Sequence, residues 1–138
     1  VVTWGDPWRG GDSSSVADQL ADGVAAVYGN GAAFAAVKVN GTVVTWGDAE
    51  RGGLPTAIQK KQLAQGVIRQ VHGKADAFAA VTEDGAVVTW GEADRGGDST
   101  KISKQLSQGI ARVYGRSGAF AALKEAGSVL AWGDPGCG

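Results

Sequence analysis

The chain has 138 residues, 43% hydrophobic and 20% charged, and its 13 basic and 14 acidic side chains leave a formal net charge of -1. That is the size and composition of one ordinary globular domain and excludes a disordered chain. So balanced a charge gives no electrostatic reason to expect nucleic acid or an anionic membrane as partner.

The chain begins at Val1 inside a Val-rich stretch, contains no methionine, and shows no basic-then-apolar leader. No apolar run approaches the ~20 residues that cross a bilayer. These features lead us to expect a soluble chain with no visible targeting segment, processed from a longer product, and an organelle lumen as its compartment if so. The single Cys137 cannot form an internal disulfide, so this is no cystine-stapled scaffold.

Val1–Trp4 is the first copy of a strand that returns at Val43–Trp46, Val87–Trp90 and Val129–Trp132. Its tryptophans, Trp4, Trp46, Trp90 and Trp132, recur at intervals of 42, 44 and 42 residues, and Phe34, Phe78 and Phe120 keep the same beat. A fixed period of this length marks one supersecondary unit stacked on itself. Holding one repeat position, all seven aromatics are expected in the core.

After each Trp-Gly comes an acid, and the complete copies then carry Arg-Gly-Gly at Arg9, Arg51 and Arg95. Acid and arginine are expected to fix the loop as pairs, Asp48 with Arg51 and Glu92 with Arg95, the glycines supplying left-handed turns. An anion site made of Arg and Gly amides is the alternative. Trp8 breaks the pattern, because its equivalents are Glu50 and Asp94.

A polar stretch follows, with Asp12-Ser13-Ser14 and Asp98-Ser99-Thr100 as caps, Val16/Leu20 and Ile102/Leu106 at i, i+4, and Gly23 and Gly109 as stops. It predicts a short helix in each unit. The middle copy opens with Leu54-Pro55-Thr56 and absorbs the two extra residues of its unit here, which places the segment at the surface.

Two strands then surround a glycine break, as in Val24–Tyr28 and Ala33–Val37, and Asn40-Gly41 leads into the next Val-rich strand. Asn-Gly reads as a two-residue hairpin turn with positive φ at both positions. Asp84-Gly85 and Ala126-Gly127 replace it in the later copies. Each unit is thus a three-stranded antiparallel meander plus a short helix.

The run AFAAVKVNGTVVTWGD (Ala33–Asp48), with its copies AFAAVTEDGAVVTWGE and AFAALKEAGSVLAWGD, resembles the repeat of the RCC1-like superfamily, the group of the regulator of chromosome condensation and β-lactamase inhibitor protein II. It is similar to tandem arrays in bacterial and dinoflagellate algal proteins called RCC1-like or HERC2-like. The resemblance covers the whole chain and implies one propeller blade per unit. It implies no single activity, since family members exchange nucleotide on a small GTPase, bind chromatin, inhibit a β-lactamase or serve as interaction arms of ubiquitin ligases. The chain departs from the family in its short unit, in a Ser-rich stretch where Gly-Gln-Leu-Gly is usual, and in having three units.

Three blades are fewer than the four to eight that close a propeller. The expected architecture is therefore a mainly β single repeat domain over 1–138, an open partial propeller or solenoid. Its units run roughly 4–45, 46–89 and 90–131, and a surplus terminal strand covers 129–133. A β-trefoil is the alternative, having the same threefold arithmetic.

Catalytic and metal chemistry find no constellation. His72 is the only histidine and stands where Tyr28 and Tyr114 stand in the other copies, an aromatic repeat position rather than a triad base. Asp6/Asp12 and Asp94/Asp98 lack the alternating acids of a calcium loop. No enzyme, cofactor or metal is expected. Positions that vary among the copies are the candidates for partner contact: Trp8, Leu54, Pro55, Lys60, Lys61, Lys74, Lys101, Lys104, Arg112 and Arg116.

These observations point to a non-catalytic module that binds a protein partner, or itself, through loops and end strands. A carbohydrate or small-ligand module is the alternative. The resemblance to dinoflagellate arrays adds a third reading, an accessory subunit of an organellar complex such as a photosynthetic one.

Overall fold

The computed structural model describes residues 1–137. Nine strands form three separate three-stranded antiparallel sheets in sequential order: β1 (Val24–Gly29), β2 (Ala33–Lys38) and β3 (Val43–Gly47); β4 (Ile68–Lys74), β5 (Ala77–Thr82) and β6 (Val87–Gly91); β7 (Ile110–Arg116), β8 (Ala119–Lys124) and β9 (Val129–Gly133). The chain is mainly β, and among the described residues the three sheets close into no barrel, so the trefoil alternative is set aside.

Strand β9 pairs with β8 from Ala119–Gly133 to Leu123–Val129, and is the regular third strand of the third sheet. The copy without a sheet is the first, Val1–Gly5, which forms no strand. What was expected as a surplus at 129–133 is thus found at the other end of the chain. Val1–Gly5 nevertheless keeps part of a third strand's bonding: the Val1 nitrogen donates to Leu20 O at 3.3 Å, as Val87 N does to Leu106 O at 2.8 Å.

Alternation along each strand sends residues to two faces, and both faces are apolar because sheets stack. The front of the first sheet (Ala33, Ala35, Val37) meets the back of the second (Val71, Phe78, Ala80, Val88, Trp90). The front of the second (Ala77, Ala79, Val81) meets the back of the third (Val113, Phe120, Ala122). The core therefore lies in two equivalent joints between sheets. A smaller cluster under the first sheet joins Ala36, Val44 and Trp46 to Leu20.

The predicted helical segments take three forms. The first is a 3-10 turn, Ser14–Val16, running into α1 (Ala17–Leu20); the second is α2 (Ala57–Ala64); the third is the 3-10 turn Thr100–Ile102. Only α2 is a full helix, since Thr56 and Gln59 form a reciprocal capping box there. Leu20, Leu63 and Leu106 are all buried, so each segment contributes one anchor.

The hairpin turn differs from expectation. Lys38 N donates to Thr42 O and Gly41 N to Lys38 O, both at 2.8 Å, and of the two central residues Gly41 alone has positive φ, +82°. This is a three-residue turn ending in a left-handed glycine rather than a two-residue type I′ turn. Asn40 instead uses its side chain, accepting from Thr42 N at 3.1 Å. That explains why Asp84 and Ala126 serve equally well beside their glycines.

Candidate interaction surface

One recurring device ties each sheet to the loop that precedes it. Trp90 stacks on Phe78 with ring centres 5.1 Å apart, and its Nε1–H donates to Gly52 O of the preceding loop at 3.2 Å. Trp46 does the same with Phe34 and Gly10 O at 3.0 Å, and Trp132 with Phe120 and Gly96 O at 3.1 Å. The glycine is required twice over. At Gly52, φ is +106° and a Cβ would lie 2.7 Å from Phe78 Cδ2.

Trp4 corrects the sequence expectation of a core residue, because it is 85% exposed. Burial here depends on a phenylalanine on the adjacent strand and a carbonyl from the loop before it, and Trp4 has neither. Four tryptophans against three AFAA runs were a visible signal of this imbalance.

The Arg-Gly-Gly loops hold their arginines in ion pairs. Arg51 lies 3.4 Å from Asp48 and 3.3 Å from Asp76 of the next unit, Arg95 lies 4.0 Å from Glu92, and Arg9 lies 3.7 Å from Asp6. Asp48 Oδ1 also accepts from Glu50 N and Arg51 N. With its charge matched from two sides, Arg51 is poorly placed to attract an anion.

Of the contact candidates, Trp8 is 84% exposed at the tip of the Pro7–Arg9 turn. Leu54, Lys60, Lys61, Lys74, Lys101, Lys104, Arg112 and Arg116 are also exposed. Pro55 is buried and is withdrawn as a contact residue. The exposed candidates are spread over the Pro7–Arg9 turn, the segment after Gly53, α2, β4, the segment around Lys101 and β7.

His72 faces Tyr114 across the second joint, ring centres 6.5 Å apart. Burial, and secondarily the Lys74 ammonium, hold its pKa below the usual histidine value. Asp98 accepts from Thr100 N at 2.9 Å and Thr100 Oγ1 at 2.7 Å, and Asp12 accepts from Ser14 N at 2.8 Å; these bonds lower both carboxyl pKa values. Both acids are turn caps. Among the described residues no three His, Cys, Asp or Glu cluster in a way that could hold a metal ion.

One groove, about 580 Å³, runs between α2 and β6 and is lined by polar groups including Gln62, Thr82, Asp84 and Ser99. It has no aromatic wall. A second groove, about 680 Å³, is lined by Asp94, Ile102, Trp132 and Asp134.

Sequence reasoning missed Arg69 and Gln70, which bind across the second joint. Arg69 Nη2 donates to Ala111 O at 2.9 Å, and the Gln70 amide exchanges two hydrogen bonds with the Val113 backbone, both 3.4 Å. Their first-unit equivalents, Ala25 and Ala26, cannot do this, so no repeat pattern announced them.

No protein-family model matches the chain, and no curated protein matches it. Solved structures do. Human WBSCR16 matches with a TM-score of 0.56 at 20% identity, over 84% of this chain and 35% of that one. Yeast RCC1 (Prp20), in its complex with Kap60, matches with a TM-score of 0.59 at 19% identity, over 80% and 32%. Prp20p from Saccharomyces cerevisiae, studied for its binding to Gsp1p and histones, matches with a TM-score of 0.55 at 19% identity, over 79% and 32%. The chain thus has the RCC1-like repeat fold and spans about a third of the length of these structures. Among the described residues no helix is long and apolar enough to cross a membrane.

Proposed function

We propose that the chain is a non-catalytic protein-interaction module, a run of RCC1-like blades that presents its loops to a protein partner. The observation that carries this reading is Trp8: a large aromatic, 84% exposed at a loop tip where both equivalent positions hold acids. Desolvating such a side chain is favourable in a complex and gains nothing in the free chain. The yeast neighbour, bound to Kap60 and studied for its binding to Gsp1p and histones, supports a protein as the partner class.

The finer reading, an accessory subunit of an organellar complex, rests on the sequence resemblance alone. Crosslinking followed by mass spectrometry of the natively purified complex tests both. The expected result is a partner crosslinked near Trp8 whose recovery falls at least tenfold in Trp8→Ala while the thermal midpoint is unchanged. Equal recovery with Trp8→Ala would remove Trp8 from the interface and this reading with it.

A further inference from the structure

The two joints leave one pair of faces without a neighbouring sheet, although on the back of the first sheet Ala36, Val44 and Trp46 are already buried in a cluster with Leu20. The front of the third sheet carries Tyr114, 50% exposed, and Val129, 63% exposed, alongside Ala121 and Leu123. Their second-sheet equivalents, His72, Ala79, Val81 and Val87, face the third sheet, and Ala79, Val81 and Val87 pack in its joint. The back of the first sheet carries Val27, 43% exposed, whereas its equivalents Val71 and Val113 are 3% and 0% exposed beneath an Ala-Ala-Val strand.

Backbone groups repeat the pattern. Gly41 O accepts from Ile68 N at 3.3 Å and Gly85 O from Ile110 N at 2.9 Å. Gly127 is the third member of that series and Val24 the first-sheet equivalent of Ile68 and Ile110. The third sheet's front and the first sheet's back are the two halves of an interface that this chain already builds twice. Resting on the reading of the chain as an interaction module, we propose that its partner includes a second copy of itself, joined head to tail through these faces.

One place in that joint is claimed twice, by β9 of one copy and by Val1–Gly5 of the next. Strand β9 is hydrogen-bonded along β8, while the described contacts of Val1–Gly5 are few: Val1 N to Leu20 O and Thr3 Oγ1 with Ser13 Oγ at 2.9 Å. The weaker occupant gives way, so β9 stays and its Val129 N takes over Leu20 O, as Val87 N takes Leu106 O. The arrangement is heterologous, and it continues into rings or filaments according to whether the rotation closes.

Light scattering on the full chain over two decades of concentration tests the proposal, together with two charged variants, Tyr114→Asp on the front face and Val27→Asp on the back. Wild type should grow in mass with concentration, and each variant should be monomeric with an unchanged circular-dichroism spectrum. Their equimolar mixture should form a dimer and stop there, because each variant retains the face the other lacks. Should Tyr114→Asp unfold, Val129→Asp charges the same face from the edge strand. A monomeric wild type, a variant that still oligomerises, or a mixture that stays monomeric overturns the second copy as occupant. The crosslinking at Trp8 is scored separately, so the interaction reading can survive that failure.

Discussion

Replacing Trp90 by phenylalanine isolates the device that locks one sheet to the next. The ring is fully buried and stacked on Phe78, and its Nε1–H satisfies Gly52 O at 3.2 Å. Phenylalanine keeps an aromatic face on Phe78 but removes the donor, leaving a buried carbonyl unpaired at a cost of about 1–3 kcal/mol. The lost ring volume, roughly 40 Å³, adds about 1 kcal/mol as a cavity. The expected destabilisation is therefore about 2–4 kcal/mol, or roughly 6–16 °C in Tm at about 3–4 °C per kcal/mol for a chain of this size. Trp4→Phe is the control: with its ring 85% exposed it should change stability by less than about 0.5 kcal/mol. Urea unfolding followed by far-ultraviolet circular dichroism measures both. Because joints couple units in a stack, Trp90→Phe should also broaden the transition. Equal midpoints for the two variants would refute the idea that the tryptophan–glycine bond holds the joint.

The glycines separate strain from collision. Gly52→Ala forces a Cβ to 2.7 Å from Phe78 Cδ2 at φ +106° and should cost about 2–5 kcal/mol, whereas Gly127→Ala, at φ +95° with nothing within 4 Å, should cost only about 1–2 kcal/mol of backbone strain; thermal unfolding ranks them. His72 sets a pH limb. Its folded pKa lies below the unfolded value of ~6.5, so stability is full above that pH and declines as pH falls through it towards the folded pKa. His72→Phe should flatten this limb in urea midpoints measured between neutral and mildly acidic pH, and an unchanged limb would remove His72 as its source.

Much of the blade was legible because it is periodic. The recurring apolar runs gave the strands, the Phe and Trp beat marked positions that pack in the core, and the glycine in each hairpin gave the place of the turn but not its type. Trp4 and Pro55 were misplaced for one reason: a sequence position states what a residue is, while burial depends on which neighbour reaches it. Trp4 has the motif but no phenylalanine strand beside it. Pro55 varies among the copies, as contact residues do, yet it is buried. Arg69 and Gln70 stayed hidden because cross-joint hydrogen bonds arise from unit-specific side chains that a repeat consensus averages away.

The span from loop glycine to bonded tryptophan is 36 residues in the first and third units and 38 in the middle one, yet the bond is made in all three. Both anchors are fixed, and the two extra residues are taken up between them, one between Gly53 and Leu63 and one between Leu63 and Ile68. Evolution can therefore lengthen this segment without renegotiating how blades stack. A protein engineer could graft a foreign binding loop there, and the scaffold would register it as one more insertion at a place already built to vary.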